Sequence, residues 1–374
     1  MNIIFSVLFI VMISMVCNSG DKQSMQTTPI GSESSFELPE GFNINIYAKV
    51  DNARAMALGE DGTVYVGSRN AGKVVALRDS DQDGIADFQA MVDQGLNMPV
   101  GVAIRNNTLY VSAVNKIFRY PDIANSISNP KRELVSDAFP DKSSHGWKFI
   151  DFGPDGKLYV PVGAPCNICD EDPMIFANIM RMNADGSELE VYAIGVRNTV
   201  GFDWHPITGE LWFTDNGRDW LGDDLPPCEL NCAPKSGMHF GFPYCHGKNV
   251  SDPKYGNERS CSEFIKPKWE FKAHTAPLGM CFYKGDMFPP SYKNKAFVAL
   301  HGSWNRSTKI GYEVKLISFE DDHKTVRSSE TFLGGLLNKG NVLGRPVDIL
   351  ELKDGSILIS DDHSDKIYRV SYKK

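Results

Sequence analysis

Four groups of residues in this 374-residue sequence set chemically competent side chains beside turn-forming neighbours. SSHGWKF (143–149) carries His145. An imidazole there suits a general base near neutral pH, or a hydrogen-bonded structural histidine. IGVRNTVGF (194–202) sets Arg197 beside Asn198. The planar guanidinium matches a carboxylate or a quinone oxygen, or an ion pair between structural units. TDNGRDWLGDDLPPCELN (214–231) gathers four Asp and one Glu around glycine turns. That density of oxygens suits Ca2+, which takes roughly six to eight, and equally a solvated acidic loop. The fourth group is a pair, HGSWNR (301–306) and GRPVD (344–348), each of which taken alone reads as a turn. A separate stretch, DSDQDGIAD (79–87), alternates Asp79, Asp81 and Asp83 and has Gly84 in sixth place, as in a calcium loop. Its twelfth position is Ala90 rather than a bidentate Glu, so a structural Ca2+ site and a plain turn both stand.

The elements that must position these residues repeat along the chain. A short apolar run, a Gly/Asp/Asn turn and a β-rich run recur at 56–68, 101–113, 149–162, 201–215, 280–301 and 348–362. Asp-Gly or Asn-Asn between alternating runs marks a hairpin, because such turns need positive φ. A third short run follows most hairpins, as in KVVALRD, KIFRYPD and KIYRVSY. Six such units without a helical pattern predict an all-β, six-bladed β-propeller with four-stranded antiparallel blades. FNINIYAKV (42–50) has no hairpin partner nearby, which predicts an N-terminal strand that joins KIYRVSY and closes the ring. An open β-sandwich is the competing architecture. The stretch at about 216–279 reads as a long insertion on one face, rich in Pro, Gly and Cys, where loops commonly shape a site.

Composition limits the partners. With 42% hydrophobic and 23% charged residues the chain is ordinary globular protein, and a net charge of −8 argues against nucleic acid. Residues 1–20 read as a signal peptide, with Cys17 as an alternative lipoprotein anchor, and 21–36 as a disordered lead-in to one domain over 37–374. The expected location is secreted, periplasmic or extracellular, with membrane contact only through an N-terminal lipid. Export favours disulfides. Spacing suggests Cys166–Cys169, Cys228–Cys232 and Cys245–Cys261, with Cys281 free. Zinc bound by the same CxxC is the competing reading.

Taken together and in order, SSHGWKF, GVRNTVGF, DNGRDWLGDDLPPCELN, HGSWNR and GRPVD resemble the soluble glucose/sorbosone dehydrogenases that use pyrroloquinoline quinone (PQQ), with the sorbosone or pyranose dehydrogenase-like branch most similar. The resemblance spans roughly 37–373. It implies a propeller whose upper face holds PQQ and one Ca2+. His145 then matches the catalytic base, Arg197 and Asn198 the pair that holds the quinone, and Gly217 and Arg218 the consecutive carbonyls that bind Ca2+. Arg345 matches an arginine that contacts quinone carboxylates, and Arg306 stands in the place of a basic residue on the preceding blade. The implied reaction is oxidation of a sugar or sugar-derived aldehyde. His145 would take the hydroxyl proton and a hydride would pass to the quinone, with electrons then leaving to an external acceptor, since no haem CxxCH is present. The chain departs from the better-studied glucose enzymes in having Leu96 for a Gln, Val347 for a second Arg, and APCNICDED after the third hairpin. A Ca2+-dependent lactonase and a catalytically silent propeller that binds a protein or carbohydrate are the alternative functions.

Overall fold

Local turn chemistry sets the strands. Between Val102–Arg105 and Thr108–Ser112, Asn106 and Asn107 take φ of 48° and 54°, the positive values a two-residue hairpin demands and asparagine tolerates. Gly62 does the same for the first hairpin at φ 86°. The computed structural model describes residues 36–373. The signal-peptide reading, Cys17 and nearly all of the 21–36 lead-in lie outside the described residues.

The strands assemble into six blades of four antiparallel strands, five running outward in chain order and the sixth taking its outermost strand from the N-terminal run. The innermost strands are Ala53–Leu58, Val102–Arg105, Asp151–Phe152, Phe202–Trp204, Pro277–Phe282 and Pro346–Glu351. Innermost strands touch between blades one and two, two and three, four and five, five and six, and six and one, and Phe149 and Phe202 meet edge to face between blades three and four. The predicted closure is present. Phe42–Lys49 pairs antiparallel with Lys366–Tyr372, from Phe42 opposite Tyr372 to Lys49 opposite Lys366. Phe42 seals the joint, with its ring centroid 4.8 Å from that of Phe288 and 5.0 Å from that of Phe332. Burying such an aromatic cluster at the seam stabilises the closed ring.

The stretch at 216–279 is more deeply built into the fold than an added loop. It contributes Cys228–Ala233 and Trp269–Phe271, the third and fourth strands of blade four. It also sends Met238–His239 to blade three as a fifth, parallel strand beside Glu190–Ile194. The Cys166–Cys169 and Cys245–Cys261 disulfides are formed. The Cys228–Cys232 pairing is overturned, since both cysteines are free and buried on one strand. Four residues of strand separate their Cα atoms by about 13 Å, well past disulfide reach. Cys281 is free and buried, as expected.

Candidate functional site

In an antiparallel hairpin, the start of the first strand and the end of the second lie side by side. Residues at these open ends therefore gather on one face of the ring. Arg54 is the second residue of the inner strand of blade one and Arg69 follows that blade's second strand. His145 precedes blade three, Arg197 and Asn198 precede blade four, and Arg345 precedes blade six. Asn216, Gly217 and Asp219 follow the second strand of blade four, and His301 and Trp304 that of blade five. All of these line one cleft of about 320 Å3.

The two residues expected to carry chemistry meet through Ala164. The Nδ1 atom of His145 lies 2.8 Å from the Ala164 carbonyl oxygen, and the Ala164 N–H donates to the Arg197 carbonyl at 2.9 Å. A carbonyl only accepts, so Nδ1 carries the proton and Nε2 keeps a lone pair. His145 sits at φ 48°, in the left-handed region that is uncommon for a side chain of this size. Burial, then the Arg197 charge, pushes its imidazolium down to about 3, so the ring is neutral across the physiological range. Its ring stands nearly perpendicular to that of Trp147, over which the Arg69 guanidinium stacks at 3.9 Å.

Arg197 is 4% exposed and fixed on every side. Asp215 accepts its backbone N–H at 2.8 Å on one carboxylate oxygen and that of Asn198 at 2.6 Å on the other. The guanidinium donates to the Asn167 carbonyl at 2.9 Å, the Asn167 side-chain oxygen at 3.0 Å and the Asn216 carbonyl at 3.1 Å. Burial raises Asp215 to about 6. Arg345 donates to the carbonyls of His301 and Gly302. Arg54 pairs with Asp362 at 2.7 Å, and the same carboxylate meets His301 Nε2 at 2.8 Å.

The cleft is strongly cationic. Arg54, Arg69, Arg197 and Arg345 face it, whereas Asp219 is the carboxylate among its lining residues. Burial lowers Arg69, Arg197 and Arg345 from the usual guanidinium range, and the neighbouring Arg54 charge adds to the effect on Arg69. The Nε atoms of Arg54 and Arg69 are buried without a partner. Unmet donors and crowded positive charge call for a polyanion. The carbonyls of Gly217 and Arg218 accept no hydrogen bond among the described residues. The Arg218 side chain is turned aside onto Asp252 at 2.6 Å. Two free consecutive carbonyls suit a hard cation such as Ca2+; Gly217 lines the cleft and Arg218 does not, so the residues present fit a carboxylate-bearing quinone with Ca2+ at the Gly217 edge.

Arg306 is not among the residues lining the cleft. Its guanidinium is engaged by the Asp223 carbonyl and the Asp224 carboxylate, which hold the 216–227 loop against HGSWNR. Val347 packs with Val200 and Leu278 under Trp147, so an apolar floor stands where a second arginine was looked for. Leu96 belongs to the core. Sequence reasoning missed Arg54, Arg69, Asn167, Asp219 and His274. Arg54 and Arg69 flank the first repeated hairpin at its open end, so registering all six repeats against one another would have found them. Asp79, Asp81 and Asp83 bring ligand oxygens within 4.8 Å of one another. All three accept backbone N–H bonds within their own turn, as expected of either a calcium loop or a solvated one.

The model of the family described as TrAA12-like matches residues 36–373. A Borreliella burgdorferi protein described as uncharacterized is 36% identical over 357 residues, covering 91% of this chain and 92% of that one. Among solved structures, the calcium structure of Trichoderma reesei Carbohydrate-Active Enzymes Family AA12 superposes with a TM-score of 0.80 at 18% identity, covering 93% of this chain and 100% of that chain. The holo PQQ domain of pyranose dehydrogenase from Coprinopsis cinerea gives 0.73 at 19% identity, covering 90% and 97%. At these identities the two structures share the fold.

Proposed function

The chain belongs to the TrAA12-like family, and we propose from that membership and from the cleft that it is a PQQ-dependent dehydrogenase oxidising a sugar or sugar-derived aldehyde. The observation that carries the reading is the single cleft that neutral His145, with Nε2 unengaged, lines together with four arginines and Gly217, whose carbonyl accepts no hydrogen bond among the described residues. The fold relatives include a pyranose dehydrogenase PQQ domain and a calcium-containing AA12 protein, in support of both groups.

In this reading Arg54, Arg69, Arg197 and Arg345 would hold the anionic quinone, and the backbone at Gly217 and Arg218 would hold Ca2+. Bound there, PQQ with Ca2+ supplies a polarised two-electron acceptor. His145 Nε2 takes the proton of the sugar hydroxyl or hydrated aldehyde. The Ala164 carbonyl keeps that ring in the required tautomer and steadies the charge that develops on it. Arg197, already anchored by Asp215 and Asn167, presents fixed positive charge without reorganising. Trp147, stacked under Arg69, packs against the base. Electrons leave to an external acceptor, and the two disulfides accord with an oxidising compartment outside the cytoplasm.

The test is reconstitution. Purified protein mixed with PQQ and Ca2+ should reduce a dye acceptor in the presence of some member of a panel of aldoses, ketoses and sugar aldehydes. Dye reduction that needs both additions is the expected result. Absence of quinone binding by titration would overturn the reading.

A further inference from the structure

Asn167 is the middle of a knot. It lies inside the four-residue loop closed by the Cys166–Cys169 disulfide. Its carbonyl accepts from Arg197 Nε at 2.9 Å, and its side-chain oxygen accepts from Arg197 Nη2 at 3.0 Å. That same oxygen accepts the Asp219 N–H at 2.8 Å, while Nδ2 donates to the Asp219 carbonyl at 3.1 Å. One side chain thus grips the guanidinium that faces the cleft and both backbone groups of the residue that follows Gly217 and Arg218.

We infer that Asn167 is a positioning residue for Arg197 and for the Gly217–Asp219 turn, and that the Cys166–Cys169 disulfide is the device that holds it there. The reason is geometric. Asn167 follows blade three's second strand in a connection with no strand pairing of its own, between Leu158–Val162 and Asn178–Met182. Without a covalent clamp, such a connection would have to order itself on each visit to the bound geometry and would lose backbone entropy each time. The disulfide removes most of that freedom, so two acceptors stay aimed at Arg197 in the fork arrangement a guanidinium prefers. Arg197 and Asp219 approach each other only at 3.6 Å, too long for a hydrogen bond, so Asn167 supplies the short contacts to both. It follows that the thiol–disulfide state of this CxxC sets how firmly the cleft is organised, although neither sulfur needs to touch cofactor or substrate.

The quinone arm of the test rests on the function proposed above, and a second arm does not. In the full-length protein, Asn167→Ala, Asn167→Asp and the Cys166→Ser/Cys169→Ser double variant are compared with wild type. The first readout is the rate at which phenylglyoxal modifies Arg197, followed by peptide mass spectrometry without any cofactor. Asn167→Ala and the double variant should be labelled at least about tenfold faster. Asn167→Asp, which keeps the acceptor facing Arg197, should stay near wild type. The second readout is PQQ affinity by quenching of tryptophan fluorescence, with Ca2+ present and substrate absent. It should weaken roughly tenfold in the same two variants. Equal Arg197 labelling in folded wild type and all variants would overturn the inference whether or not PQQ binds. Failure of wild type alone to bind PQQ would count against the proposed function, and the labelling arm would still decide the role of Asn167.

Discussion

His145 and Arg197 are held by the two ends of a single peptide unit pair at Ala164, whose carbonyl receives the His145 Nδ1 proton and whose N–H reaches the Arg197 carbonyl. The base and the principal cation are thus tied to the end of one blade-three strand, although 52 positions separate them in the chain. Their relative placement is set by backbone, the least deformable part of the site.

The residue before this junction tests that placement. A Cβ on Gly163 would stand 2.6 Å from His145 Cβ and 2.8 Å from the His145 carbonyl oxygen. Backbone on that side leaves no room to yield. Gly163→Ala should displace His145 and lower kcat by about a hundredfold, while the β-sheet circular dichroism spectrum is unchanged. Unaltered kcat in that variant would show that His145 tolerates movement and is not the base.

Removal of the imidazole separates chemistry from binding. His145→Ala should cost roughly 10²–10⁴ in kcat, the usual worth of a placed general base. Quinone affinity should change little, since the arginines stay. Stopped-flow dye reduction and fluorescence titration measure the two quantities.

The same histidine gives a pH signature. Its folded value of about 3 lies below the ordinary 6.5. Between those values the unfolded chain binds the proton and the folded protein refuses it, so stability falls as pH drops through that window. Above about 6.5 this group contributes no pH dependence. In cofactor-free protein, His145→Gln should therefore show a shallower loss of Tm on acidification than wild type.

Arg69 offers a test of the cationic wall. Its Nε is buried and unpartnered, and its guanidinium stacks on Trp147. Arg69→Ala should weaken PQQ binding about tenfold or more. The salt dependence of binding should flatten as well. Arg306→Ala, whose side chain is spent on Asp223 and Asp224 outside the cleft, should leave the salt dependence of quinone binding near wild type.

Alkylation of the unfolded but unreduced protein checks the cysteine assignment. Among the described residues, Cys228, Cys232 and Cys281 should be labelled, and Cys166, Cys169, Cys245 and Cys261 should be labelled only after reduction.

What the sequence determined by itself was whatever is written locally. Turn residues such as Asn106–Asn107 accept the positive φ that a two-residue hairpin needs, and the alternation around them has a period of two. Strands, hairpins, their sixfold recurrence and the unpaired N-terminal run that closes the ring were therefore legible. The short motifs around His145, Arg197 and Asn198 were legible too, and the family resemblance pointed to Gly217, Arg218 and Arg345; of these six, all but Arg218 line the one cleft. The tertiary structure alone decided the rest. Arg54 and Asp362 are 308 positions apart, and no local pattern marks them as partners. Cys228 and Cys232 look paired by spacing, yet the extended strand between them keeps them apart. Asn167 carries no signal in its own neighbourhood, since its role exists only once blades three and four bring Arg197 and Asp219 to it. Local rules act through the few rotatable bonds around a turn. A cleft is made where six separately formed hairpins converge, and that convergence is settled by how the blades pack around the ring.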